Sequence, residues 1–513
     1  MMSVQSEQDR QDGFALRAAW LTMANSIAFG LSFIAPLLLA RMLSQTEFGL
    51  YKQVFQILIS TIAALNLQVA ATAYYFMPRA PEKKLQLTVN VVAFYGALGA
   101  LIGAIFIIYP EWALLVFESG ELVAYMPLLG VTILLWMVSS NIEFIPMALG
   151  DVRTSSVFIV IAQLTKSALT ISAALAFHSV RAIIWAAAIH GALQILFMFV
   201  YIRRRFGSLN GAFEWALFKA QIGNALPFGI GGIAQTAQAD MHNFVVSRYF
   251  TPAGFAVYSV GLFHLPLMGM LTASFGSALI PEVSQLAAAG NRRAIIPIWL
   301  NAVRKLALVL VPTFALMFVL RYEIITLLFT SAYREAAPLF GIFLLTALLQ
   351  MTLIGSLIRA HDEFKFFRLK LHLALLPVAF GTLYAGVHAA GLIGAAWAVV
   401  VIQMLEAVIV LTVVGRRFGF VANDLGYLAP ALKTFLAAAA AALAAFAMKL
   451  PLAHARMPVK MLLCGAVFGA VYIFAAYALG AVTDADKAGF RAALSRFLPR
   501  GSRARQLIAK ALS

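Results

Sequence analysis

Long apolar runs alternate with short polar breaks along nearly the whole chain, and the breaks come too regularly for a soluble core. The pattern predicts about fourteen membrane-spanning helices, since each run of about 18 residues or more can cross roughly 30 Å of hydrocarbon with its backbone hydrogen bonds made internally. The spans, numbered 1 to 14 in order, are 17–40, 51–76, 86–109, 122–148, 155–177, 181–202, 220–246, 254–280, 299–320, 337–358, 370–388, 391–414, 430–448 and 459–480. No connection exceeds about 20 residues, whereas a separate compact domain needs about 50.

Composition sharpens this into an all-α integral membrane protein. The 513 residues are 62% hydrophobic and 12% charged, with mean hydropathy +0.90, against about 25% charged in soluble domains. The first 16 residues are polar, and the run behind them is too long for the apolar core of a signal peptide, so no cleaved signal is expected. The single cysteine, Cys464, lies in an apolar segment; it excludes an internal disulfide, and no metal set or redox pair is expected. A net charge of +17 would suit nucleic acid only if gathered on a soluble surface, and no soluble domain exists to carry it. Lys and Arg instead favour the connections on one side of the membrane by roughly three to one, which predicts cytoplasmic termini.

The chain also repeats itself. Arg41-x-Leu43-Ser44-x3-Phe48-Gly49-Leu50-Tyr51 is echoed 207 positions later by Arg248-x-Phe250-Thr251-x3-Phe255-Ala256-Val257-Tyr258. Trp185-Ala186 and Arg204-Arg205-Phe206-Gly207 recur 212 positions later as Trp397-Ala398 and Arg416-Arg417-Phe418-Gly419. Six spans per repeat is an even number, so the two repeats point the same way through the membrane. The expected layout is a cytoplasmic segment (1–16), an N-lobe (17–207), a C-lobe (208–419) around a central cavity, two further helices (420–482) and a basic cytoplasmic tail (483–513).

The wording of these repeats, ARMLSQTEFGLY, ADMHNFVVSRYFTPAGFAVYSVGLFHLP, FGSALIPEVSQL and GLIGAAWAVV ending in RRFG, resembles the polysaccharide-export, Wzx-type O-antigen flippase branch of the multidrug/oligosaccharidyl-lipid/polysaccharide flippase superfamily. The resemblance covers nearly all of residues 15–480. It implies two six-helix bundles around a cavity lined by spans 1, 2, 7 and 8. It implies as cargo an oligosaccharide linked to undecaprenyl diphosphate, and as further partners membrane lipids and the polymerase and chain-length regulator of a polysaccharide assembly system. The residues agree on where a wet wall belongs. Span 7 carries Asn224, Gln235, Thr236, Gln238, Asp240, His242 and Asn243, and span 1 carries a stripe of Thr22, Asn25, Ser26 and Ser32. The bland alternative is that such polar residues merely join helices.

Charges at membrane depth cost at least about 2.5–3.5 kcal/mol and so mark candidate sites. Lys166, twelve residues into span 5, is the clearest substrate-phosphate candidate, with Glu143 of span 4 as a possible ion-pair partner nearer the cytoplasm. Arg41 and Arg248 end spans 1 and 7 at matching places and Lys52 opens span 2; an anionic diphosphate needs such fixed cations. Interface anchoring, or pairing with Asp240 or Glu47, is the competing role for both arginines. Arg17 opens span 1, where anchoring is the commoner use. Asp240, Glu406 and Glu143 are candidates for carrying a coupling ion. His190, His264 and His372 read as core histidines.

Enzyme signals are weak: the chain has no GxxxxGK[ST], HExxH or GxSxG. Asp484-x-Asp486 imitates a metal-binding DxD without a nucleotide domain around it. The chain therefore reads as a transporter that needs no cofactor. The alternatives are a drug or metabolite antiporter of the same superfamily, or a lipid II-type flippase.

Overall fold

A computed structural model describes residues 2–140, 143–208, 213–263, 266–359, 364–484 and 486, with side chains from residue 20 onward apart from 266, 267, 359 and 365. Every regular element among them is helical. Eleven stretches are long and apolar enough to cross a membrane, one of them, Phe366–Phe418, covering spans 11 and 12 together. Predicted spans 7 and 8 are absent from that set. The first is polar despite its length, and the second falls partly outside the described residues.

The chain forms two compact units, the first from 1–266, 328–339 and 366–402, the second from 267–327, 340–365 and 403–513. The first contains α1 (Met2–Met42), α2 (Gln45–Leu65), α3 (Thr72–Phe76), α4 (Lys84–Ile108), α5 (Ala113–Val116), α6 (Met126–Ser139), α7 (Phe144–Ala148), α8 (Val152–Phe177), α9 (Val180–Phe206), α10 (Trp215–Tyr249) and α11 (Pro252–Gly261). The second is built from α12 (Pro266–Ala288), α13 (Ile295–Val319), α14 (Arg321–Phe329), α15 (Ala336–Gln350), α16 (Ile354–Arg359), α18 (Ala429–Lys449) and α19 (Met457–Ala478). The segment α17 (Lys365–Phe418) is divided between them: residues 366–402 belong to the first unit and the remainder of its second arm to the second.

Local chemistry explains the places where predicted spans break. Span 2 stops at Leu65 because Leu67 and Gln68 adopt left-handed backbone, φ 49° and 58°. The Tyr95 hydroxyl donates to the Asn66 carbonyl (2.6 Å) and accepts from the Ala70 amide (3.2 Å). Backbone groups freed inside a membrane protein need such partners. Spans 11 and 12 are two helical arms joined directly at Ala390 and Gly391, whose backbone is not helical and where Gly391 takes φ +60°. The two arms fold back so closely that neither Gly386 nor Gly394 has room for a Cβ.

The two copies of the first repeated stretch share a local structure. Ser44 caps α2 by accepting from the Glu47 amide, and Thr251, its counterpart, caps α11 by accepting from the Gly254 amide. Ser and Thr favour this role because their hydroxyls satisfy an otherwise orphaned helix-start N–H. The two capped helices pack against each other inside the first unit, with Gly49 backed onto the Pro252 carbonyl where no Cβ fits.

Candidate functional site

Lys166 sits midway along α8, a 26-residue helix whose start is fixed by Asp151 accepting from the Thr154 amide at 3.1 Å. Its ammonium lies over the Trp136 ring of α6, 5.0 Å from the centroid. That ring is held from two sides. The indole N–H donates to the Ala187 carbonyl of α9 at 2.7 Å, and His190 stands edge-on at 5.7 Å. His190 is buried, and its Nδ1 is 3.1 Å from the Thr165 hydroxyl.

From Trp136 the aromatic contacts continue onto α2. Phe55 meets Trp136 at 6.4 Å, Tyr51 meets Phe55 at 4.7 Å, and Phe48 meets Tyr51 at 5.9 Å. These α2 residues stand at helical spacing, one to a turn, and so form a stripe. At the far end Lys52 lies over Phe48 at 5.4 Å. Two half-buried lysines thus flank one line of four rings. Among the described residues neither has a carboxylate within ion-pair distance. A ring face offsets part of the cost of a partly desolvated ammonium, about 0.5–2 kcal/mol, less than an opposite charge would.

A second polar line crosses from α2 to α10. The Ser60 hydroxyl donates to the Asp240 carboxylate at 2.5 Å and accepts from the Gln56 amide at 2.7 Å. Gln238, on the same helix, faces His372 Nδ1 at 2.7 Å, while Gln235 is exposed. Asn25, Ser26 and Ser32 of α1 bond back to the carbonyls of Leu21, Thr22 and Phe29 in their own helix. Those three hydrogen bonds therefore do not tie α1 to a neighbour.

The two matched arginines differ. Arg41 donates through Nε to the Leu328 carbonyl at 3.3 Å, beside Gln45, which donates to the Ala332 carbonyl at 2.5 Å. Arg248 is exposed at the end of α10 with no ion pair among the described residues. The pairing considered for it with Asp240 is not formed, because Asp240 engages Ser60. Lys166 and Glu143 form no ion pair either: the Glu143 carbonyl accepts from Ser155 at the start of α8. Lys166 lies eleven residues further along that helix, about 16 Å away. Glu406 is half-buried on the second arm of α17 and belongs to the other unit. The side chain of Arg17, and His264, lie outside the described residues.

Sequence reading overlooked Trp136, Gln56 and Ser60. A tryptophan in mid-span opposite a buried lysine was a usable signal; the two small polar groups on α2 gave none. It also overlooked the tie of Lys83, just before α4, to Glu214, at the start of α10, at 2.8 Å, with Asn90 bonded to both backbone groups of Glu214. Among the described residues, no group of three or more His, Cys, Asp or Glu is arranged to hold a metal ion.

Known proteins place this geometry in context. No curated protein matches the chain. Among solved structures, the lipid II flippase MurJ in its inward closed conformation aligns with TM-score 0.67 and 15% identity, over 89% of this chain and 97% of that one. An inward-facing multidrug resistance MATE family transporter of the MOP superfamily aligns with TM-score 0.56 and 16% identity, over 77% of this chain and 94% of that one. A MOP superfamily transporter from Pyrococcus furiosus gives 0.56 and 17%, over 79% and 95%. At such identities the likeness establishes the fold, a multi-pass membrane architecture of the kind the sequence predicted. The profile of the family described as polysaccharide biosynthesis protein matches residues 38–338, more than half of the sequence, and the chain belongs to that family.

Proposed function

We propose that the protein is a flippase that carries an oligosaccharide linked to undecaprenyl diphosphate across a bacterial inner membrane by alternating access, for O-antigen, capsule or exopolysaccharide assembly. The observation that carries this reading is Lys166: a cation halfway along a membrane helix, held by a ring rather than by a carboxylate. Lys52 repeats the arrangement at the other end of the same aromatic line. A diphosphate supplies the negative charge both lysines lack, and its binding relieves the cost of holding them partly desolvated. Membership of a polysaccharide biosynthesis family supports the sugar-bearing cargo, and the fold shared with a lipid II flippase supports the lipid carrier.

In this reading Arg248 meets the headgroup at the end of α10, and Arg41 positions the 328–332 segment. Asp240 is the first candidate for the coupling ion: a proton or sodium ion on its carboxylate weakens the Ser60 bond that joins α2 to α10. Glu406 and Glu143 are the reserve candidates. Cargo delivered to the outer leaflet passes to the polymerase and chain-length regulator.

The test is genetic and chemical. Deleting the gene in a strain with no related exporter should leave lipid-linked repeat units on the cytoplasmic leaflet and remove surface polysaccharide, with both restored by the intact gene. Unchanged surface polysaccharide contradicts the proposal.

A further inference from the structure

The second unit holds a cavity of about 540 Å³, within the size range of ligand sites, where the starts of α13 and α18 meet the chain just after α19. All three are ends of membrane helices, so the cavity lies at a membrane surface. Its wall combines apolar Pro297, Ile298 and Pro430 with polar Asn301, Arg304 and Tyr427. Arg304 is 5% exposed. Asn301 Oδ1 accepts from its Nε at 3.2 Å and from Nη2 at 3.0 Å, which fixes the guanidinium plane.

That guanidinium already holds an anion from its own chain. Asp486 takes Nη1 at 2.5 Å and Nη2 at 2.8 Å, the two-pronged geometry that arginine also offers a phosphate. Thr483 donates to the same carboxylate through its hydroxyl (2.6 Å) and its amide (3.0 Å). Asp486 thus stands where a mobile anion would stand.

We propose that this cavity binds the phosphate headgroup of an anionic phospholipid from the adjoining leaflet, in exchange with Asp486 for Arg304. The apolar wall takes the glycerol and upper acyl chains, and Tyr427, 49% exposed, stands at the rim. Binding frees Asp486 and Thr483 from their mutual contact, so lipid composition and the anchoring of the chain after α19 are linked.

The test uses the full-length protein purified in detergent and titrated with phosphatidylglycerol, with phosphatidylcholine, or with inorganic phosphate, read as the shift in melting temperature and as lipid retained in native mass spectrometry. Phosphatidylglycerol should bind and phosphatidylcholine should not. Asp486→Asn, which weakens the internal competitor, should tighten phosphatidylglycerol binding at least about threefold, a small part of what a charge-assisted contact contributes. Arg304→Gln should lose binding; should that variant not fold, Asn301→Asp carries the test, since it puts a negative charge beside the guanidinium and should also lose binding. Unchanged affinity in Asp486→Asn overturns the proposal, as does equal binding of the two lipids. Binding of inorganic phosphate without the lipid overturns the lipid assignment.

Discussion

Lys166 of the first unit and Arg304 of the second are both cations on membrane helices, and they are held in opposite ways. Arg304 has Asp486, Asn301 and Thr483 arranged around one ion pair, with both charged side chains nearly buried. Lys166 has the face of Trp136 and no carboxylate among the described residues. Some other cations follow the same division, although Arg321 of the second unit, like Lys166, lies over a ring, Phe318 at 4.6 Å, without an ion pair among the described residues. In the second unit Lys449 bonds Glu323 at 2.9 Å and the Val319 carbonyl at 3.0 Å, and Arg293 bonds Asp424 at 2.9 Å and the Gly419 carbonyl. In the first, Lys52 shares the condition of Lys166, Arg248 is exposed to solvent without an ion pair among the described residues, and Lys83, just before α4, has its partner in Glu214 at the start of α10. Paired charges fix helices to one another. An unpaired, partly desolvated one such as Lys166 is costly to the resting protein, a cost that the diphosphate of the proposed function would offset.

The contrast breaks most visibly at Arg304. Removing one partner of a buried pair strands the other, a loss of about 3–5 kcal/mol. Arg304→Gln should therefore lower the melting temperature and cellular level of the protein, while Arg304→Met combined with Asp486→Leu should regain most of the loss. If the single variant melts like the parent, the pair contributes no stability and the distinction between units weakens.

Lys166→Met should behave in the reverse manner. It strands no carboxylate, so melting temperature should hold or rise, while transport falls by about ten- to a hundredfold, the worth of one charge-assisted contact of about 1.5–3 kcal/mol. Lys166→Arg should retain more transport than Lys166→Met. Equal loss of stability and transport in Lys166→Met would reassign Lys166 to structure.

Acidity should erase part of the second unit's advantage. Burial raises the Asp486 carboxyl, but hydrogen bonds from Arg304 and Thr483 outweigh it and hold the group down at about 2, against an ordinary 3.8. A depressed folded value means the pair stabilises the protein fully above pH 4, and progressively less as pH falls from 4 towards 2. The gap in melting temperature between the parent and Asp486→Asn should be constant from pH 7 to 5 and close below pH 4. A gap independent of pH removes the ionic explanation.

The smallest effects fall on the matched arginines. Arg41→Ala loses a backbone hydrogen bond, about 1 kcal/mol of stability or less. Arg248→Ala should leave melting unchanged and lower transport severalfold, so the two variants should separate when assayed side by side. Identical behaviour would mean that the repeat conserves role as well as position.

What was legible in the sequence follows from range. Hydrophobic run length located most of the helices, and the repeat tied the stretch around Ser44 to that around Thr251, because both signals are local. That these two residues cap helices starting at Gln45 and Pro252 emerged only from the structure. The break at Leu67 was hidden, since it depends on Tyr95, 28 residues away and in another helix. The same holds at Lys166. Its burial was readable from its place in an apolar run, but sequence suggested Glu143 as partner, and only packing brings Trp136 beneath it. Asp486 imitated half of a metal motif until Arg304, far back in the chain, claimed it.

The most direct test of the central claim compares purified parent protein with Lys52→Met, Lys166→Met and the double variant, at matched melting temperature, for binding of undecaprenyl diphosphate against undecaprenyl monophosphate. The account predicts that the parent prefers the diphosphate, that each single variant loses at least about tenfold of that affinity, and that the double variant no longer distinguishes the two lipids. Diphosphate affinity that survives in the double variant would contradict it.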